Sequence, residues 1–280
     1  MESVNLGATD AIKEALSYPL IDKKKWIIVG VIFLIINLFL VDIGLKYTSI
    51  AWLTGLIAFI LNLFLLGYGV SVTKENIIGN KVPEFDFLKN FVDGIKAVIL
   101  YFIYFIIPII ISVIVALVTG VFTNLDKAFN AMQHAAVVNS TAATNGVGSF
   151  TTLYASYSGS IPTSVQSSLG IGLLITAIVA IILFILFMLF VEIAFARMAE
   201  EDSLKAGLNI GAVFSKIGSI GWGTYIAWYI LMIIVAIIFG IIAGILSAIP
   251  YVGALIVGLF ISSFMFYFNF SAVGKIYKQG

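Results

Sequence analysis

Six apolar runs dominate this chain, and the lysines between them fall almost entirely on alternate connections. The runs extend from Trp26 to about Leu45, Ile50 to Val72, Ile95 to Phe122, Leu169 to Met198, Ile220 to Ala248 and Tyr251 to Val273. A helix crossing a bilayer needs about 20 apolar residues, whereas a barrel strand needs only about 9–11. Lipid offers the backbone no hydrogen bonds, so each run must satisfy its own amides and carbonyls, and only a helix does that within one segment. With 61% hydrophobic and 10% charged residues the sequence cannot clothe itself in a water-soluble surface. An all-α fold follows: a polytopic membrane helical bundle of six transmembrane helices.

The basic residues orient the bundle. One set of connections receives Lys13, Lys23, Lys24, Lys25, Lys74, Lys81, Lys89, Lys96, Arg197, Lys205, Lys216, Lys275 and Lys278, and the other receives only Lys46 and Lys127. Lysine-rich loops stay in the cytoplasm, so the sequence predicts a cell-membrane protein with both termini cytoplasmic. Lys23, Lys24 and Lys25 ahead of an apolar stretch resemble a signal peptide, but the stretch is longer than an h-region and carries no small-residue cleavage site before Asp42, so it reads as a retained span. A single integral membrane domain, 1–280, is expected: a cytoplasmic amphipathic N-terminus over 1–25, three spans over 26–122, an external Ser/Thr-rich loop over 123–167, three further spans over 168–273 and a cytoplasmic tail over 274–280.

Three parallel hairpins emerge, each preceded by a cytoplasmic amphipathic helix. Ile12, Leu16 and Leu20 share a face of the first. In the second, Phe85, Leu88, Val92, Ile95 and Ile99 form an apolar stripe opposite Asp86, Lys89, Asn90, Asp93 and Lys96. Leu204, Leu208, Gly211 and Ile217 play that part in the third, after Asp202 and Ser203 as expected caps. Such helices would lie in the headgroup plane. In the external loop Leu125, Phe129, Met132 and Ala136 predict a short amphipathic helix, and Phe150, Leu153, Tyr154 and Tyr157 repeat the pattern. Asn139-Ser140-Thr141 matches a glycosylation acceptor, as does Asn269-Phe270-Ser271 inside a span, so the motif alone decides nothing.

Tyr18-Pro19 before the lysine cluster, Gly67-Tyr68-Gly69 closing the second span, and Gly79-Asn80-Lys81-Val82-Pro83-Glu84-Phe85-Asp86 leading to Val92-Asp93-Gly94 carry a family resemblance. Over residues 8 to 115 the chain resembles the archaeal and bacterial multi-pass membrane proteins grouped as domain of unknown function 4013, and beyond that it resembles them by architecture. Val82 and Leu20 depart mildly from that pattern. The resemblance implies a fold and a membrane location and transfers no catalytic residue. On physical grounds Gly67 and Gly69 permit close helix approach, and Gly79 with Pro83 sets a turn into the next helix, a structural elbow rather than a phosphate loop.

Polar chemistry within the spans is sparse. Asn37 and Asn62 sit at similar depths in adjacent spans and are expected to pair across the hairpin. Glu192 is the acid placed well inside a span, at a depth comparable with Asn269 and Tyr68, and an intramembrane carboxylate is a candidate functional group because its charge is costly away from water. Pro108 predicts a kink in the third span. Ala236, Gly240, Gly244 and Ala248 recur every fourth residue, a stripe suited to helix packing. The lone His134, the lack of cysteine and the absence of metalloprotease or nucleophile-elbow motifs argue against an enzyme, a metal site or a cofactor. Near-zero net charge argues against a nucleic-acid partner. The expectation is a non-enzymatic membrane-organising or partner-binding protein, its partners the lipid bilayer and a membrane protein or a second copy; the alternative is a small-solute or ion transporter or channel with Glu192 in the polar path.

Overall fold

A computed structural model describes residues 3–37, 43–79, 81–142, 161–249 and 252–280, and every regular element among them is helical. The helices are α1 (Ser3–Ser17), α2 (Lys23–Asn37), α3 (Ala51–Ile78), α4 (Phe87–Val118), α5 (Val121–Ala142), α6 (Thr163–Glu201), α7 (Ile210–Ile220), α8 (Trp222–Ser247) and α9 (Val252–Tyr277). Five of the described helices, α3, α4, α6, α8 and α9, are long and apolar enough to cross a membrane. The chain is an all-α membrane protein. The expected first span is described as the 15-residue α2, and its continuation at 38–42 lies outside the described residues. So do Asn80, the Pro250-Tyr251 turn and the Phe150 to Tyr157 pattern.

The chain divides into two compact units, one of residues Met1–Phe102 with Met188–Gly280, the other of Ile103–Phe187, so α4 and α6 each contribute to both. In the first unit α9 packs against α1, α2 and α3. Its register is set by a π-helical stretch, Val257–Ser262, that faces α2: a Cβ added at Gly30 would strike the Leu259 carbonyl. Between α3 and α4 the contact is closer still. A Cβ at Gly67 would collide with the Asn90 carbonyl oxygen and one at Gly94 with that of Leu63, so the two backbones touch where each helix offers only hydrogen. With no hydrophobic drive between helices in lipid, such contact supplies the dispersion and the short polar bonds that hold them together.

Those bonds form a buried seam. Ser71 Oγ donates to Asn90 Oδ1 (3.1 Å), Thr73 Oγ1 to the Phe270 carbonyl (3.0 Å) and Ser271 Oγ to Asn76 Oδ1 (2.9 Å), while Asn76 Nδ2 donates to Val72 O (2.8 Å). All are hydroxyls or amides that would be costly to bury unpartnered.

The amphipathic segments are built differently from the expectation. α1 buries Ala8, Ala11, Ile12 and Ala15 against α8 and α9, whereas Leu20 is exposed. Small side chains let α1 lie close, and Glu14 Oε2 meets Lys275 Nζ at 2.8 Å. The second segment becomes the first part of the continuous α4, and two polar residues turn inward: Asn90 is 0% and Asp93 4% exposed, whereas Leu88 is 77% exposed and Val92, Ile95 and Ile99 lie outside with it, as do Asp86 and Lys89. Phe85 alone of the expected apolar stripe packs inward, against Tyr68. In the third, Ile210–Ile220 buries Val213, Ile217 and Ile220, and its cap is Asn209, whose Oδ1 accepts from Ala212 N at 3.1 Å; Ser203 precedes only a single turn, Leu204–Gly207. Asp202 takes a positive φ of 50° at the end of α6 and pairs with Lys74.

In the second unit, Pro108 lies within α4 and its carbonyl accepts from Ser112 Oγ at 2.7 Å. α4 ends at Gly120, whose φ of 71° disfavours any residue with a Cβ, and its N–H bonds back to Leu117 O (3.1 Å). α5 then runs to Ala142, longer than the short helix predicted there, with Ala128 buried and Leu125 and Phe129 exposed. Phe105 stacks on Phe184 (5.7 Å), and the Thr119 and Thr176 hydroxyls are 3.5 Å apart.

Candidate functional site

The motif residues that carry the family resemblance converge in space around the segment joining α3 to α4. Tyr18 Oη donates to Lys81 O (2.7 Å), Tyr68 Oη to Pro83 O (3.0 Å), and Lys25 Nζ to Val82 O (3.0 Å) and to Glu84 Oε1 (2.6 Å). A proline-containing segment outside any helix has carbonyls to satisfy, and three long polar side chains from elsewhere in the fold satisfy three of them in succession. Burial, then the nearby Tyr68, raises the Tyr18 pKa, with an opposing contribution from Asn76, so the hydroxyl stays a neutral donor. Tyr68 is also 3.2 Å from Tyr267 Oη and fully buried among Phe85, Phe266 and Tyr267. The arrangement is architectural: Tyr18, Tyr68 and Lys25 each donate to a backbone carbonyl of the segment.

A second group of polar residues lies elsewhere in the spans. A cavity of about 320 Å³ opens between α4, α6, α8 and α9, lined by Glu192, Asn269, Tyr101, Trp228, Tyr229 and Phe270 among others. Its position follows from local sequence. Glu192 projects from the last part of α6, ahead of the Arg197 to Glu201 pair (2.6 Å). Trp228 and Tyr229 belong to an aromatic run on α8 in which Tyr225 stacks on Trp228 (5.5 Å) and is pinned through its hydroxyl to Leu189 O (2.5 Å). Asn269 and Phe270 are adjacent on α9, and Phe195 of α6 lies against Tyr101 (6.0 Å) and Phe270 (5.4 Å). Trp228 is 1% exposed, and its indole Nε1–H has no hydrogen-bond partner among the described residues. No basic side chain stands among the lining residues to offset Glu192.

Below the cavity, at the lysine-rich ends of α6 and α9, the charges are paired. Tyr277 Oη donates to Glu200 Oε2 (2.6 Å), and Lys216 Nζ stands 4.2 Å from the centre of the Tyr277 ring. Partial burial lowers the Lys216 pKa, against the pull of Glu200 and with a smaller push from Arg197.

Of the intramembrane residues singled out in the sequence, then, the structure brings Glu192 and Asn269 together and places the others apart. Asn62 donates to Ala58 O of its own helix (2.8 Å) and Asn37 lies on an exposed surface near Gly258, so the expected cross-hairpin pair is not formed. Tyr68 belongs to the clamp. The stripe of Ala236, Gly240, Gly244 and Ala248 is exposed, and a Cβ added at Gly240 or Gly244 would meet nothing within 4 Å; Ala236 alone borders the cavity. Tyr101, Trp228 and Tyr229 were not foreseen. The signal for Trp228 and Tyr229 is the density of aromatic residues from Trp222 to Tyr229, which reads equally as an interfacial belt.

These features define a helical, multi-pass membrane protein with a tyrosine-clamped elbow and a mostly apolar cavity among its spans that Glu192 and Asn269 border. The chain belongs to the family described as Protein of unknown function (DUF4013), whose profile matches residues 50–248 and so includes the Gly67 to Gly69 and Gly79 to Asp86 motifs. Searches of curated proteins and of solved structures found no match.

Proposed function

We propose that this is a non-enzymatic protein of the cell membrane, with both termini cytoplasmic, that holds a ligand or partner in the Glu192 cavity. The observation that carries the reading is the gathering of Glu192 and Asn269 in one aromatic-walled space, while Asn37, Asn62 and Tyr68 are engaged or placed elsewhere. A volume of about 320 Å³ is at the lower end of the range of small-molecule sites, which are mostly apolar with a few convergent polar groups. A transporter asks for more, because polar groups must recur along the full thickness of the bilayer. The lysine distribution supports the orientation and places the cavity toward the cytoplasmic leaflet, with the bilayer as the protein's first partner.

Purified protein reconstituted into vesicles and screened for proton and cation flux under an imposed gradient tests this reading. Neither wild type nor Glu192→Gln is expected to exceed the leak of empty vesicles. Robust wild-type flux that disappears in Glu192→Gln would overturn the proposal in favour of a transporter or channel with Glu192 in its path.

A further inference from the structure

We infer that the Glu192 cavity recognises an organic ammonium group. The inference deepens the binding reading above and rests on it. Two features of the wall point to this chemistry. The first is a carboxylate in an otherwise uncharged wall, so that a bound cation supplies the missing counter-charge in a place where an isolated charge is poorly tolerated. The second is the aromatic character of that wall. Tyr101, Trp228, Tyr229 and Phe270 surround the carboxylate, and aromatic side chains attract organic cations through their quadrupoles. A hard inorganic ion is a poorer fit, because calcium takes about six to eight oxygen ligands and the wall offers one carboxylate, one amide and two phenols. Asn269 adds an amide whose oxygen can accept from an ammonium held by Glu192.

The cavity also has a way in. Ile233 and Ala236 on its border are exposed, so the opening is on the side of the fold that α8 presents to the bilayer. An ammonium of this kind could arrive on a lipid headgroup or on a free amphiphilic amine; the chemistry is shared.

The test uses the full-length protein in maltoside micelles and isothermal titration with 2-butoxyethylammonium. The comparison ligand is 2-butoxyethanol, which lacks the charge. Saturable 1:1 binding of 2-butoxyethylammonium is expected, at least about tenfold tighter than the alcohol, because charge-assisted hydrogen bonds are roughly twice as strong as neutral ones. Glu192→Gln should abolish the preference for charge. Unchanged thermal unfolding of the variant shows that it is folded, and the comparison of the two ligands on the wild type decides independently of it.

Competition distinguishes the sources. Displacement of the probe by phosphatidylethanolamine but not phosphatidylglycerol assigns the ammonium to a lipid headgroup, and displacement by neither assigns it to a free amine. Equal affinity for ammonium and alcohol, or undiminished charge preference in Glu192→Gln, would overturn the inference. If that happens while the vesicles show no flux, the binding reading survives with a different ligand; flux in the vesicles with ammonium selectivity intact would sink that reading and leave the recognition chemistry standing.

Discussion

Replacing Gly67 with valine should unfold this protein more readily than any single change on its lipid-facing surface. The Gly67 hydrogen faces the Asn90 carbonyl across the α3 and α4 contact, and the reciprocal Gly94 faces Leu63, so a branched side chain has no direction in which to relax. Overpacking usually costs about 1–3 kcal/mol, and a collision with helix backbone rather than a mobile side chain belongs at or beyond the upper end. The separation of the helices would also stretch the Ser71 to Asn90 bond. Gly240→Ala supplies the contrast. Nothing lies within 4 Å of its new methyl group, so the change should stay within about 0.5 kcal/mol. Both can be read from unfolding in mixed micelles titrated with denaturing detergent. Superimposable curves for Gly67→Val and wild type would show that the helices do not approach as described.

The second large effect is expected at Asn76→Leu. Asn76 is fully buried, donates to Val72 O and accepts from Ser271 Oγ, so leucine leaves a buried hydroxyl without an acceptor beside the close contact of Gly274 with α3. Stranding a buried polar group costs about 1–3 kcal/mol. Ser271→Ala removes the stranded hydroxyl, so the double variant should lose less than the two single losses combined, by about 1 kcal/mol. The same unfolding assay measures this coupling, and strict additivity would mean that the two side chains do not share a bond.

The helices and their membrane character were legible because an apolar run long enough to cross a bilayer permits little else. The elbow was legible in part: Gly67, Tyr68, Gly79 and Pro83 announced a close approach and a turn, although nothing in the chain order showed that Tyr18 and Lys25 would reach across to hold it. The inward turn of Asn90 and Asp93 was missed through a misplaced assumption about solvent. An amphipathic stripe buries its apolar side when water surrounds it, whereas α4 runs on into the bilayer. Asn37 and Asn62 illustrate a different limit, since equal depth fixes height in the membrane but not rotation about each helix axis. The cavity depends on four helices far apart in sequence. Glu192 and Asn269 could be flagged as costly in lipid, whereas Tyr101, Trp228 and Tyr229 look like ordinary interfacial aromatics until the fold brings them to the same carboxylate. The Gly240 stripe had the spacing of a packing surface, and spacing alone could not say that none of the described residues comes within 4 Å of a Cβ added at Gly240 or Gly244.

Whether the polar groups form one cavity or a path through the membrane can be decided by thiol accessibility, because the chain has no native cysteine. Ile233→Cys places a thiol at the border of the Glu192 cavity, and Asn62→Cys places one in α3, away from it. Each variant, in oriented vesicles, is treated from either side with a small, charged, water-soluble methanethiosulfonate reagent. No reaction is expected at either position from either side, because the Ile233 border of the cavity opens toward hydrocarbon; reaction at both positions would reveal a water-filled route across the bilayer and contradict the account.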